Sequence, residues 1–212
     1  MSALTPAPRA PLPERIETPR LQLRCGTPAD AAGLKHAIDS SLAELQAWMP
    51  WAMAEPSPLA VVTERLERFR SDFLAGREWH YLIVDRAETS LDGVVGLHPR
   101  RGPDAVEIGY WIRTAATRRG YASEAVATLT AVAFEFLVIE RIEIRCDPRN
   151  LRSAAIPRRL GYRHTATLAA DARTPTGEPR DTMVWTQSLA EHRSRDRHHS
   201  RAPLRSPSAR ER

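Results

Sequence analysis

One short turn constrains this chain more than any other feature. Thr117-Arg118-Arg119-Gly120-Tyr121-Ala122 joins an alternating apolar run, Val106 to Arg113, to the longest run of helical periodicity, Gly120 to Leu137. In that second run Ala125, Leu129, Val132 and Phe136 fall on one stripe. A strand that turns straight into an amphipathic helix must be covered by it, so the chain has to be a sheet with helices packed on it. The joint also aims several backbone N–H groups and the positive end of a helix in one direction, which suits a phosphate or pyrophosphate. Arg118 and Arg119 add charge there, and Gly120 can take a positive φ that lets a ligand come close. Taken alone, the joint is also compatible with an ordinary strand-turn-helix connection.

The remaining elements follow from periodicity and breakers. Residues 1–17, rich in proline, are expected to be disordered. Arg20 to Cys25 alternates as a half-buried strand, and Thr27-Pro28 starts a helix expected to run from Ala31 to Ala47. Pro50 breaks it, and a second helix runs from Leu59 to Ala75, ended by Gly76. Trp79–Asp85, Gly93–His98 and Val106–Arg113 are strands. Arg141–Cys146 is another, Asn150–Leu160 is a short helix, and Gly161–Leu168 and Thr182–Thr186 close the sheet. The expected architecture is mixed α/β (α+β), about seven strands flanked by about four helices. One domain over 18–190 is expected, followed by a disordered Arg-rich tail over 191–212.

Charge and cysteines narrow the function. The net charge is +5, but the stretch from Ala190 onward holds seven arginines against Glu191, Asp196 and Glu211, which accounts for +4 of it. The folded body is therefore nearly neutral, so nucleic acid is not expected as its partner. No apolar run reaches about 18 residues, so no membrane span is expected. The proline-bearing start has no stretch of signal-peptide length. Cys25 and Cys146 match no metal or redox spacing and read as free thiols of a cytoplasmic protein. His80, His98 and His164 are scattered over strands, and no metal is expected.

Around the phosphate-type turn lie Val106-Glu-Ile-Gly-Tyr-Trp-Ile112 before it, and Asn150-Leu-Arg-Ser153 and Arg159-Leu-Gly-Tyr162 after it. Together they resemble the GNAT superfamily of N-acetyltransferases, and within it the RimJ/RimL-like group that acetylates ribosomal-protein N-termini. The likeness extends over about 18–190, with Thr18-Pro-Arg-Leu21 and Trp48-Met-Pro-Trp51 compatible. The resemblance implies an acyltransferase that takes acetyl-CoA as co-substrate and acetylates a primary amine. It implies that backbone N–H groups of Arg118, Arg119, Gly120, Tyr121 and Ala122 hold the pyrophosphate. Thr117 stands where the family has Arg or Gln. Ile112 would pair its backbone with the pantetheine arm. Asn150, which is also a good helix N-cap, would contact the coenzyme near the thioester with Ser153.

Acetyl transfer needs a neutral nitrogen, donors for the oxyanion and a proton for the thiolate. Glu107 resembles the family's general base, though it is equally readable as a solvated strand carboxylate. The family's acid tyrosine falls on Pro157, which cannot donate a proton and is expected to interrupt or kink the helix. Ser153, a water or the thiolate itself would then manage that proton. Trp48 and Trp51 are the best acceptor-pocket candidates; core packing is the alternative for the tryptophans. The acceptor is expected to be a protein N-terminal α-amine. A small amine (antibiotic, polyamine or amino acid) is the alternative, and a non-catalytic acyl-CoA- or nucleic-acid-binding module a third reading. Monomer and homodimer both remain open.

Overall fold

The alternating apolar segments become strands whose inward faces stack into one sheet. The computed structural model describes residues 6–174 and 176–199, with side chains described through Arg195. The strands are β1 (Arg15–Glu17), β2 (Leu21–Cys25), β3 (Trp79–Asp85), β4 (Leu91–His98), β5 (Ala105–Ile112), β6 (Arg141–Cys146), β7 (Arg163–Arg173) and β8 (Pro179–Ser188). The helices are α1 (Ala31–Asp39), α2 (Leu42–Trp48), α3 (Leu59–Leu74), α4 (Tyr121–Phe136), α5 (Leu151–Arg159) and α6 (Leu189–His199). The eight strands form one mixed sheet in the order β1-β2-β3-β4-β5-β6-β8-β7. Every neighbouring pair is antiparallel except β5 and β6, which α4 connects in parallel.

Each face of the sheet has its own core, as the period-2 pattern requires. On one face Val126, Leu129 and Ala133 of α4 pack with Tyr81, Ile83, Val95, Leu97, Val106 and Ile142. On the other, Leu34 and Ile38 of α1 and Val62 and Leu66 of α3 cover Leu82, Val84 and Val94. The second core covers only the β2–β4 side, so the β4–β6 part of that face is left for a cavity.

Three expectations are corrected. The helix expected over Ala31–Ala47 divides into α1 and α2 at Ser40-Ser41. There the Ser41 hydroxyl accepts from the Thr114 N–H at 2.9 Å, joining the break to the loop after β5. The proline-rich start is ordered from residue 6: Leu12 is buried, Arg9 N–H donates to Phe136 C=O at 2.7 Å, and the Tyr81 hydroxyl donates to Pro13 C=O at 2.9 Å. This segment supplies β1, an extra edge strand. The Arg-rich tail begins as helix α6 rather than coil, anchored where Glu191 accepts from the Ser188 hydroxyl at 2.9 Å and pairs with Arg163 at 2.7 Å. Residues 200–212 of that tail lie outside the described residues.

If the N-terminal segment is a structural strap, Leu12→Ala should lower unfolding free energy by about 2 kcal/mol or more, the cost of removing a packed leucine side chain. Urea denaturation of the two proteins measures it; equal midpoints would mean that the segment contributes no packing.

Candidate active site

The site begins where two strands part. β5 and β6 pair only over Ala105↔Arg141, Val106↔Ile142 and Glu107↔Glu143. β5 runs on to Ile112 and β6 to Cys146 without pairing each other. The β6-facing backbone groups of β5 from Ile108 to Ile112 are therefore open to an extended ligand, in the manner of strand addition. Ile112 is half-buried at the end of this open edge.

Beyond it the chain passes through a turn into α4. Arg118 has φ 63° and Gly120 φ 81°, so two nearby residues of the turn are left-handed. The first helical bond is from Glu124 N–H to Gly120 C=O at 3.0 Å. Among the described residues no acceptor takes the N–H groups of Arg118, Arg119, Gly120, Tyr121 or Ala122. They converge as an anion nest at a helix N-terminus. Thr117 turns its hydroxyl back to Thr114 C=O at 2.8 Å, so its side chain braces the turn.

Residues from the other end of the sheet hold this turn. Arg20 donates to Arg119 C=O at 2.7 Å and to Glu124 Oε2 at 2.7 Å, while Thr18 donates to Glu124 Oε1 at 2.6 Å. Arg20 also lies over the Tyr121 ring, 5.2 Å from its centroid. Burial alone would raise the Glu124 carboxyl, but the hydrogen bonds from Thr18 and Arg20 outweigh it and hold the group below the usual range. Sequence reading missed this clamp. Its only sequence signal is an acidic residue in the first turn of α4, which the helix dipole favours anyway.

A cavity of about 700 Å³ opens at the parted strands, on the α1/α3 face of the sheet. Glu107, Gly109, Tyr110, Trp111, Asn150 and Ser153 border it. Asn150 caps α5, accepting the Ser153 N–H on Oδ1 at 3.0 Å. Glu107 faces the cavity with Oε2 held by Arg101, whose Nε donates at 2.9 Å. Trp48 and Trp51 also line it, and Trp51 lies 6.2 Å from Trp111, centroid to centroid. Trp79, by contrast, is a core residue.

Pro157 does not interrupt α5, which runs unbroken to Arg159. A proline removes the N–H that would bond to the carbonyl four residues back, here Ser153 C=O. The Tyr110 hydroxyl donates to that carbonyl at 3.1 Å and lies 3.1 Å from the Ser153 hydroxyl. Burial pushes the Tyr110 phenol up. A tyrosine is thus present beside Ser153, but it comes from β5.

The fold also assembles a cluster that sequence spacing concealed. His98 Nδ1 lies 3.1 Å from Glu78 Oε1, and His80 Nε2 lies 3.9 Å from Glu78 Oε2. Both imidazoles line the cavity. The His98 bond, the largest influence, holds the Glu78 carboxyl down at about 2 despite burial. Burial, reinforced by His98, pushes His80 down to about 4. Arg100 Nη2 lies 3.2 Å from His98 Nδ1 and 3.3 Å from Glu78 Oε1. The ligand-type atoms come within 4.8 Å of one another, but a cation there would compete with the Arg100 guanidinium, so hydrogen bonding is what the cluster does in this structure. His164 sits apart on β7, against Trp185.

A parted parallel strand pair leads to a helix N-terminus with free backbone donors, with a polar cavity beside it, an arrangement that suits a long phosphate-bearing ligand. The sequence carries the same assignment: residues 20–163 match the model of the acetyltransferase (GNAT) domain. The chain belongs to the GNAT acetyltransferase family. Among curated relatives it is 32% identical over 103 residues to Bacillus subtilis YjcK, provisionally named an N-acetyltransferase, covering 48% of this chain and 55% of that one. The match thus spans about half the length of that relative. It is 27% identical over 149 residues to B. subtilis YdaF, provisionally named a ribosomal N-acetyltransferase, covering 67% of this chain and 77% of that one. Among solved structures it is similar to RimL, the ribosomal L7/L12 α-N-protein acetyltransferase, in complex with coenzyme A. There the TM-score is 0.76 at 19% identity, over 84% of this chain and 99% of that one. It is also similar to the microcin C7 self-immunity acetyltransferase MccE in complex with acetyl-CoA and AMP, with TM-score 0.76 at 20% identity, over 84% and 98%.

The Glu124 clamp makes a pH-dependent prediction. A carboxyl held below its unfolded value contributes stability that is fully present above the unfolded pKa, about 4.3, and is lost as pH falls through the folded one. The stability advantage of the wild type over Glu124→Gln should therefore be full near neutral pH and shrink as pH falls below about 4. Urea titrations across acid pH measure it; a constant difference would mean that the clamp does not depend on charge.

Proposed function

We propose that this acetyltransferase moves the acetyl group of acetyl-CoA to the α-amine of a protein N-terminus. The observation that carries the reading is the continuity from the anion nest, along the open edge of β5, to the cavity holding Glu107. In this reading the N–H groups of 118–122 bind the pyrophosphate, with Thr117 bracing the turn. The backbone at Ile112 pairs with the pantetheine arm, and Asn150 and Ser153 flank the thioester. Residues 18–190 form the catalytic unit. The free Cys25 and Cys146 suit work in a reducing cytoplasm.

Glu107 is the proposed proton acceptor as the amine attacks, directly or through water. An α-amine has a pKa of about 7.7–8.0 against about 10.4 for lysine, so far more of it is neutral near pH 7. Ser153, 3.1 Å from the Tyr110 hydroxyl, is the proposed route for a proton to the thiolate. With a thiol pKa near 8.5, the thiolate needs little acid help. The names of YdaF and RimL support a ribosomal-protein N-terminus as acceptor.

Thiol release from acetyl-CoA over a panel of N-terminal peptides and small amines tests the reading. Turnover of peptides is expected; turnover of small amines alone would replace the acceptor class. Gly120→Glu should weaken acetyl-CoA binding by about tenfold or more, because it puts a carboxylate at a left-handed position against the phosphates and near Arg20. Unchanged affinity by calorimetry would move the nucleotide elsewhere. Glu107→Gln should keep that affinity while lowering kcat by about 10²-fold near neutral pH, with partial recovery at higher pH.

A further inference from the structure

We propose that His98 takes the first proton from the acceptor ammonium, with Glu78 as the residue that positions its imidazole. The inference rests on the transferase reading and adds a second proton acceptor to it. An alkylammonium that becomes an amide sheds two protons, one ending on the coenzyme A thiol and one in solvent. Glu107, ion-paired with Arg101, is already assigned one of these protons in the transferase reading. A separate base for the activating proton is therefore chemically useful.

The geometry singles out His98. It is the cross-strand partner of Glu107, so both side chains stand on the cavity face of the sheet. The next pair on that face is Gly96↔Gly109, two glycines facing each other. A Cβ on Gly109 would come within 2.9 Å of His98 Nε2, and one on Gly96 within 3.2 Å. Side chains at either position would crowd the ring, so the glycine pair makes room for Nε2 beside the point where β5 and β6 part. Nδ1 faces the Glu78 carboxylate at 3.1 Å, and in the tautomer the proposal requires it donates to that carboxylate and leaves the lone pair on Nε2. The groups around the ring are Glu78 just before β3, His80 from β3, Arg100 beyond β4 and Glu107 from β5, with Arg68 and Asp72 of α3 on the same cavity wall.

The steps balance. The ammonium N–H bond gives its proton to His98 Nε2, leaving a neutral amine. The nitrogen lone pair forms the C–N bond at the thioester carbonyl, and the second N–H proton passes to Glu107. The C–S bond breaks with its electron pair on sulfur, and the thiolate takes a proton by way of Ser153. His98 and Glu107 then return theirs to solvent and to Ser153, for a net release of one proton.

The test is kcat/KM for an accepted amine from pH 6 to 9 in the wild type, His98→Gln and Glu78→Gln, with acetyl-CoA affinity by calorimetry. His98→Gln should lose about 10²-fold near neutral pH, less at pH 9, with acetyl-CoA affinity unchanged. Glu78→Gln should move the acid limb of the profile to lower pH, because the imidazolium loses its anionic partner. A loss in His98→Gln that is the same at every pH, or no loss, overturns the assignment. Should that variant fail to fold, an unmoved acid limb in Glu78→Gln overturns it equally. A wild type that releases thiol with no amine at all overturns the transferase reading, and the base with it. Normal Glu107→Gln kinetics beside a pH-dependent His98→Gln loss would remove Glu107 and leave His98 in place.

Discussion

The structure turns on the three residue pairs that join β5 to β6. Parallel strands need a crossover, and here the crossover is α4, entered through a turn that leaves its backbone donors free. The parting of the strands and the free donors are therefore parts of one connection. Had the pairing continued to Ile112 and Cys146, the open edge would be consumed by the sheet and the cavity behind it closed. The open edge of β5 and the cavity beside it both begin where that short ladder ends.

The opening is flanked by contacts from distant sequence, some of them ion pairs and some neutral hydrogen bonds. Arg20 and Thr18 fix the turn through Glu124, and Ser41 fixes the loop after β5. Arg101 bonds Glu107 and also lies 3.7 Å from Glu143, so it bridges the last pair before the strands separate. On the opposite side of the opening, Tyr110 occupies the carbonyl that Pro157 leaves without a donor.

Much of this was legible before any coordinates. The alternation in Arg141–Cys146 and Trp79–Asp85 gave their strand bounds directly, and the Arg-Arg-Gly turn revealed itself by composition. The rest was hidden for identifiable reasons. The residue pattern of Ala31–Ala47 is helical throughout, and only the tertiary bond from Thr114 to Ser41 marks the break. The proline-rich start looks solvated, yet one buried leucine and backbone bonds to Phe136 and Val138 suffice to hold it. Glu78, His80 and His98 meet only because β3 and β4 pair in the register that sets His80 against Gly96. A one-residue slip would send His98 to the other face, and register is not written in single-residue spacing.

The sheet order has a consequence for how the molecule assembles. Strands β1 to β5 pair in sequence order, and β6 to β8 form a second antiparallel group. Within each group every neighbouring pair is antiparallel. The two groups are zipped to each other by the shortest ladder between named strands apart from the β1 edge. The two groups thus meet over three residue pairs, and α4 is the crossover that joins them. A donor placed along the open edge of β5, as proposed, would lie between both groups. In that placement its binding free energy would add to the cohesion of the two halves, so the proposed donor would also serve as a structural element between them.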